Sequence, residues 1–305
     1  MKCPHKNIRR LYQFDAVLLN ECQDCNVIFS DKYAKENFEP KKIYNNFYKN
    51  EIAGRFNFGV EFIVRLFRLY RAVKIFTIYP KAKSILDIGS GRGFTLYFLK
   101  KVFGYYTAIG TQIEAAALKF SREKLGLDIY GEDLLEIDLK EKQFDLVTIW
   151  HVLEHVRDPE AYIERIYRLL KDKGRLVIEV PNFDSWTRRF SGKYWLGLDL
   201  KYHLCFFNYV SLSRLLEKHS FKVRLVHTFS LEYSTFISMQ SITSRLTDSD
   251  QLIFNWLQGK EKFNPAVLLN IFIFILLLPL CFLVNLFLFF SRRGEVLLIV
   301  AEKNI

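Results

Sequence analysis

Apolar residues along this chain follow two rhythms, broken near the end by one long uninterrupted run. Between residues 54 and 79, Phe58, Phe62, Ile63, Leu66, Leu69, Val73 and Ile75 recur at close to helical spacing. That spacing predicts an amphipathic helix, which Pro80 ends. Short apolar runs then alternate with helical stretches. Strands are predicted at 84–89, 107–112, 128–131, 144–150 (FDLVTIW), 174–180 (GRLVIEV), 221–228 and 295–303 (EVLLIVAEK). Helices are predicted at 94–103, 114–125, 159–170 and 211–218. A βαβα order of this kind implies a parallel sheet with helices on both faces. The run at 267–290, VLLNIFIFILLLPLCFLVNLFLFF, carries no charge.

The 305 residues leave room for one α/β domain with additions. A formal net charge of +11 suits either nucleic acid or anionic lipid, and the uncharged run favours the membrane. The first residues, MKCPHKNIRR, lack the apolar core of a signal peptide. They predict a cytosolic start, where the five cysteines stay reduced or bind metal.

The densest chemistry lies in Asp87-Ile88-Gly89-Ser90-Gly91-Arg92-Gly93, between a predicted strand and a predicted helix. Glycines at such a turn let the backbone approach a ligand closely. A dinucleotide fold needs a small residue at position 94, where Phe94 stands. The Asp87 carboxylate suits a ligand bearing an ammonium rather than a pyrophosphate. These residues resemble the first motif of the class I S-adenosylmethionine-dependent methyltransferases. The resemblance covers about 84–182 and the last strands. It implies a Rossmann-like, seven-stranded, mostly parallel sheet whose last strand runs antiparallel. It also implies that Asp87, Gly89, Ser90, Gly91 and Gly93 wrap the methionine part of S-adenosylmethionine. Gln112 stands where the family carries an acidic residue for the ribose hydroxyls, and it accepts a hydrogen bond less strongly. Gly131-Glu132-Asp133-Leu134 resembles the segment that meets the adenine, which implicates Asp133 and Leu134.

After the fourth predicted strand, Trp150-His151-Val152-Leu153-Glu154-His155 resembles the H-x-x-E-H segment of small-molecule methyltransferases. This places Trp150 beside the cofactor and both histidines at the carboxyl end of the sheet, where open α/β folds bind ligands. Methyl transfer from a sulfonium needs donor and acceptor aligned, and often a base for the acceptor's proton. Histidine suits that role near neutral pH. His151, His155 and His203, the last in a 195–203 loop able to cover substrate, are the candidate bases. Each could equally hold a loop or touch the cofactor. Glu154 and His155 also resemble the cation-holding segment of the metal-assisted O-methyltransferases of ubiquinone biosynthesis, with His151 where those carry a carboxylate. The Pro-Pro-aromatic motif of nucleic-acid amine methylation is absent, which counts against a nucleic-acid substrate.

Cys22-Gln23-Asp24-Cys25 is one C-x-x-C knuckle, and Cys3 with His5 could complete a four-ligand zinc site. Related methyltransferases begin with a zinc ribbon of two such knuckles. Here Lys6 occupies the place of a cysteine in the first, so a zinc site and a metal-free remnant both stay open. Cys205 and Cys281 have apolar neighbours and are expected to be inert.

One membrane crossing at 267–290 would leave 295–303 on the far side of the bilayer, away from the sheet it should complete. Pro279 predicts a break near the middle. Two halves of about 11 residues are each about 16 Å long, half of a ~30 Å hydrocarbon core. A re-entrant hairpin entering one leaflet from the cytoplasmic side is therefore expected, with Lys260, Lys262, Arg292 and Arg293 on its flanks. The alternative is an apolar helical pair buried in a core or a dimer interface. The resulting division is a zinc-ribbon-like segment (1–45), an amphipathic connector (46–80), a Rossmann-like core (81–229), an insert (230–290) and the last strand (291–305). The expected activity is methylation of a quinone, a polyprenyl-linked sugar or a lipid at the membrane. The rivals are methylation of a soluble sugar or cell-envelope precursor, and a non-catalytic membrane-tethered scaffold that binds the cofactor.

Overall fold

The strands of the main sheet are the most continuously apolar short segments of the chain, as a sheet covered on both faces requires. The computed structural model describes residues 5–14, 17–31 and 58–304; Cys3 and the predicted helix start at 54–57 lie outside the described residues. Seven strands form the main sheet: β4 (Ser84–Ile88), β5 (Thr107–Thr111), β6 (Asp128–Tyr130), β7 (Phe144–Trp150), β8 (Leu170–Pro181), β10 (Phe221–His227) and β11 (Val296–Lys303). Their order is β10-β11-β8-β7-β4-β5-β6. β11 runs antiparallel to both β8 and β10, and the pairs from β8 to β6 are parallel. The seven-stranded sheet with its antiparallel last strand is the one expected.

Helices cover both faces. α1 (Phe58–Ile78), α2 (Phe94–Lys101) and α3 (Ala115–Glu123) pack on one face through Ala72, Ile75, Leu96, Leu99 and Leu118. α4 (Pro159–Leu169) and α6 (Tyr209–Lys218) pack on the other through Ile163, Ile166, Leu212 and Leu216. Between them in sequence lies the short α5 (Trp186–Ser191). The N-terminal strands β1 (Ile8–Phe14), β2 (Val17–Cys22) and β3 (Ile28–Ser30) pair with β9 (Cys205–Phe206) in a small antiparallel sheet. Leu19 and Ile28 from this sheet share a core with Phe183, Trp195 and Leu198. The small sheet and the 183–206 segment therefore form one cover at the carboxyl end of β8.

The insert differs from expectation. α7 (Ser234–Thr247) and α8 (Leu252–Leu257) precede α9 (Pro265–Leu288), one continuous helix of 24 residues with Pro279 inside it. The expected hairpin break at Pro279 is not there. A proline removes one backbone hydrogen bond, but side-chain bonds dock the helix on both sides of it. Asn270 Oδ1 accepts from Thr247 Oγ1 and Ser249 Oγ, both at 3.2 Å. Asn285 Nδ2 donates to Ser238 Oγ at 2.8 Å. These contacts lay α9 antiparallel along α7. Among the described residues, α9 is the one helix long and apolar enough to cross a membrane.

Candidate active site

The glycine loop leaves β4 with Gly89 at φ 69°, a conformation a side chain disfavours. A Cβ there would stand 2.3 Å from Val152 Cγ2, so the loop lies directly on the segment after β7. Asp87, the last polar residue of β4, is buried and accepts from Thr148 Oγ1 at 2.6 Å. Burial pushes its carboxyl up to about 6, against the pull of Thr148, Arg71 and Arg68. Ser90 N–H donates to Thr111 O at 2.9 Å, and Gly91 and Gly93 both have positive φ. Arg92 forms a buried ion pair with Glu61, which ties α1 to the loop.

At the end of β5, Gln112 Oε1 accepts from the Glu114 N–H at 3.0 Å. Glu114 caps α3 by accepting from Ala117 N–H at 2.7 Å, and so is already engaged. Asp133 accepts from Leu135 N–H at 2.9 Å and from the Tyr162 hydroxyl. Leu134 is a core side chain, so its backbone alone is left to face a ligand. Trp150 ends β7 with the Arg71 guanidinium 4.5 Å above its ring, and its indole N–H has no acceptor among the described residues.

The three histidines fall into two environments. His151 has φ 52° and lies between two buried carboxylates, 3.4 Å from Glu154 and 3.2 Å from Glu179. Burial pulls its pKa down, but the bonds to both carboxylates outweigh it and lift it to about 10. The shift favours the imidazolium at neutral pH, which brings positive charge to this corner of the site. Its ring stands edge-on to Tyr233 at 4.3 Å. Beside Tyr233, Glu232 is held by Arg71 at 2.7 Å and by Arg68. Burial raises the Glu232 carboxyl, yet the two arginines hold it down at about 2.

His155 and His203 face each other with ring centroids 4.6 Å apart. Burial, and then His203, lower His155 to about 4; burial also lowers His203. Both are neutral at physiological pH. His155 Nδ1 lies 3.1 Å from Tyr202 O and His203 Nδ1 lies 3.0 Å from Gly197 O. A carbonyl can only accept, so each Nδ1 carries the proton and each Nε2 keeps its lone pair. Donor atoms of Glu154, His155 and His203 lie within 4.8 Å of one another. Both Glu154 carboxylate oxygens are buried, with Oε1 3.4 Å from His151 Nδ1. Two imidazole nitrogens and a buried carboxylate are a donor set that fits a divalent cation. A second donor group gathers His5, Cys22 and Cys25 over the same span, with His5 Nδ1 3.5 Å from Cys25 Sγ.

A family described as "Methyltransferase domain" matches residues 63–226, more than half of the chain. The chain belongs to this family. Among curated proteins, a ubiquinone biosynthesis O-methyltransferase of Coxiella burnetii is 28% identical over 105 residues, 33% of this chain and 45% of that one. Its counterpart in Rhodopseudomonas palustris is 33% identical over 101 residues, 32% of this chain and 40% of its own length. The chain thus spans less than half the length of these curated relatives. A crystal structure of an S-adenosylmethionine-dependent methyltransferase from Archaeoglobus fulgidus shares the fold at a TM-score of 0.50. It is 22% identical and covers 78% of this chain and 94% of that one.

S-adenosylmethionine as methyl donor accords with the buried Asp87 carboxylate behind the methyltransferase's glycine loop. Glu179, Glu232, Arg68 and Arg71 were not singled out from the sequence. Glu179 had a signal: it is the one charge within the apolar run 176–180. Glu232 had none. Gln112 yields a direct test by calorimetry. With its Oε1 taken by Glu114, its amide N–H groups are left for a ribose hydroxyl. Gln112→Leu is expected to weaken S-adenosylmethionine about fivefold, the worth of one neutral hydrogen bond. Gln112→Glu keeps an acceptor for Glu114 and is expected to bind at least as tightly as the parent chain. Indifference to both changes would place the ribose elsewhere.

Proposed function

We propose that this methyltransferase uses S-adenosylmethionine to methylate a lipidic or lipid-linked acceptor, such as a quinone, a polyprenyl-linked sugar or a lipid, at the cytoplasmic face of a membrane. The observation that carries the reading is the position of α9. The turn that follows it is fastened to the carboxyl edge of the sheet, where Asn182 Nδ2 donates to Arg292 O at 3.2 Å and to Gly294 O at 2.8 Å. An uncharged helix and the acceptor side of the fold are thus neighbours. The likeness to ubiquinone O-methyltransferases agrees with a quinone, and basic residues on both flanks of α9 agree with cytoplasmic ends.

In this reading Asp87, Gly89, Ser90, Gly91, Gly93, Gln112, Asp133, Leu134 and Trp150 hold the cofactor. His155 and His203 offer neutral Nε2 atoms either as bases or, with Glu154, as ligands of a divalent cation. Such a cation would lower the pKa of an acceptor hydroxyl. His151, kept cationic by Glu154 and Glu179, attracts an acceptor oxygen as it becomes negative. His5, Cys22 and Cys25, with Cys3, would hold a zinc ion.

Incubating labelled S-adenosylmethionine with membranes and cytosol, with and without the purified chain, tests the reading. Label is expected in the lipid extract, and His203→Ala is expected to lower it at least tenfold at unchanged cofactor affinity, since base catalysis contributes about that or more. A chelator should match His203→Ala if the trio holds a cation. Label in the water-soluble fraction favours the soluble-acceptor rival. Binding without any turnover favours the scaffold.

A further inference from the structure

The buried side chains of α9 lie on one face, near its two ends, and the middle of the helix is open. Val267, Asn270, Cys281, Asn285 and Leu288 are buried, and at 3.6 residues per turn they share a stripe about 60° wide. Leu268, Phe272, Ile275, Leu276, Leu283 and Phe287 lie on the opposite side and are exposed, Phe287 to 76%. No charged residue occurs between Pro265 and Leu288. α7, against which the buried stripe rests, is itself rich in buried Ser, Thr and Gln: Ser238, Gln240, Ser241, Thr243 and Ser244. A helix crossing the bilayer would carry α7 and these polar groups into the hydrocarbon, which offers them no hydrogen-bond partner.

The ends of α9 carry aromatic and basic residues. Lys262 and Phe263 are exposed before it, and Phe290 and Arg292 after it. α5 adds to the second end: the Trp186 N–H donates to Arg293 O at 2.9 Å, and Trp186 and Phe190 are exposed one helical turn apart, beside exposed Arg189. Rings with an apolar body beside cationic groups are the residues that settle at headgroup depth.

We infer that α9 is an in-plane membrane anchor: its outer face lies in one leaflet of an anionic bilayer, parallel to the surface, with Trp186, Phe190 and Arg292 at the headgroups. The inference rests on the membrane reading above but not on the identity of the acceptor. Its occupant is lipid because the outer face is uncharged for its full length and is bordered by cations at both ends. The acceptor edge of the sheet, tied to the turn after α9 by Asn182, then sits at the membrane surface.

The test places a nitroxide on a genetically encoded keto amino acid at Leu268, Ile275 or Leu283 of the full chain, leaving the native cysteines untouched. Depth is read by oxygen and nickel accessibility in mixed phosphatidylcholine–phosphatidylglycerol vesicles. All three labels are expected at one depth, roughly 5–10 Å below the headgroups. A spanning helix would separate the first and last by about 22 Å, and that spread would overturn the inference. Labels shielded from both lipid-borne oxygen and aqueous nickel would also overturn it, by showing a second copy of the chain on this face. Arg292→Gln is expected to weaken partitioning into the anionic vesicles about fivefold and into pure phosphatidylcholine not at all. Equal loss in both would remove the headgroup role. No arm of the test measures methyl transfer, so it can fail while the lipidic acceptor stands, and the reverse.

Discussion

The affinity for S-adenosylmethionine is expected to be constant around neutral pH and to fall about tenfold for each pH unit below about 6. Asp87 is the cause. The ligand's ammonium binds the carboxylate form, whereas burial in the empty site favours the neutral acid. Below the folded-state pKa each binding event must first remove a proton. Asp87→Asn keeps the shape and a partner for Thr148 but removes the charge. It is expected to weaken binding at neutral pH roughly ten- to hundredfold, the worth of a charge-assisted bond, and to flatten the pH profile. Without cofactor, stability moves the opposite way with pH. A carboxyl whose pKa is raised on folding stabilises the fold below its unfolded value, near 3.8, and loses that contribution as pH rises through about 6. Thermal melts without cofactor should therefore improve on acidification through this window in the parent chain and not in Asp87→Asn. Calorimetry across the same range decides the matter; a flat parent profile would separate Asp87 from the ligand.

The second large effect is expected from Glu295, whose hydrogen-bond network holds no cation among the described residues. It is fully buried ahead of β11 and accepts from Trp195 Nε1 and Ser238 Oγ, both at 3.0 Å. Ser238 in turn meets Asn285 of α9 and Thr187 of α5. One carboxylate thus joins α9 to the cover over the sheet edge. Glu295→Ala leaves at least two buried donors unpaired, at about 1–3 kcal/mol each. A total near 4 kcal/mol lowers Tm by roughly 8–16 °C in a domain of this size. Glu295→Gln retains an acceptor and is expected to cost far less. Burial raises the Glu295 pKa, so its charge costs stability as pH rises through that folded value, and the Gln variant should escape this loss. Equal melting of the Ala and Gln variants would show that the network adds nothing.

Much of this architecture is written in local patterns. The apolar runs that became β4, β7 and β8 are buried on both sides, and such runs need no tertiary information to be recognised. The glycine loop was equally plain, because a strand, a turn and a helix meet there in sequence. α7 was not legible: STFISMQSITSRLT has no clean apolar stripe, since its buried face is largely hydroxyls and amides, of which Ser238 meets Asn285 of α9 and Thr187 of α5 and Gln240 meets Ser244 and the Phe254 N–H. β9 has two residues and exists through its pairing with β3. Pro279 misled for the same reason in reverse. A proline breaks a lone helix, but here Asn270 and Asn285 fix the two halves to one support. The histidines were found as residue types, whereas their charge states depend on Glu179 and on the His155–His203 contact. Those partners lie 28 and 48 residues apart in the chain.

The insert enters after β10 and returns as β11, and within the main sheet β10 pairs with β11 alone. During synthesis, β10 therefore leaves the ribosome with no neighbour to join. It waits while α7, α8 and α9 are translated, and the apolar helix emerges before the strand that will close the sheet. An anchor exposed in this interval can meet lipid first and be locked by the strand afterwards. Placement on the bilayer would then be a step in folding, completed when β11 slides between β8 and β10, and not an event that follows it.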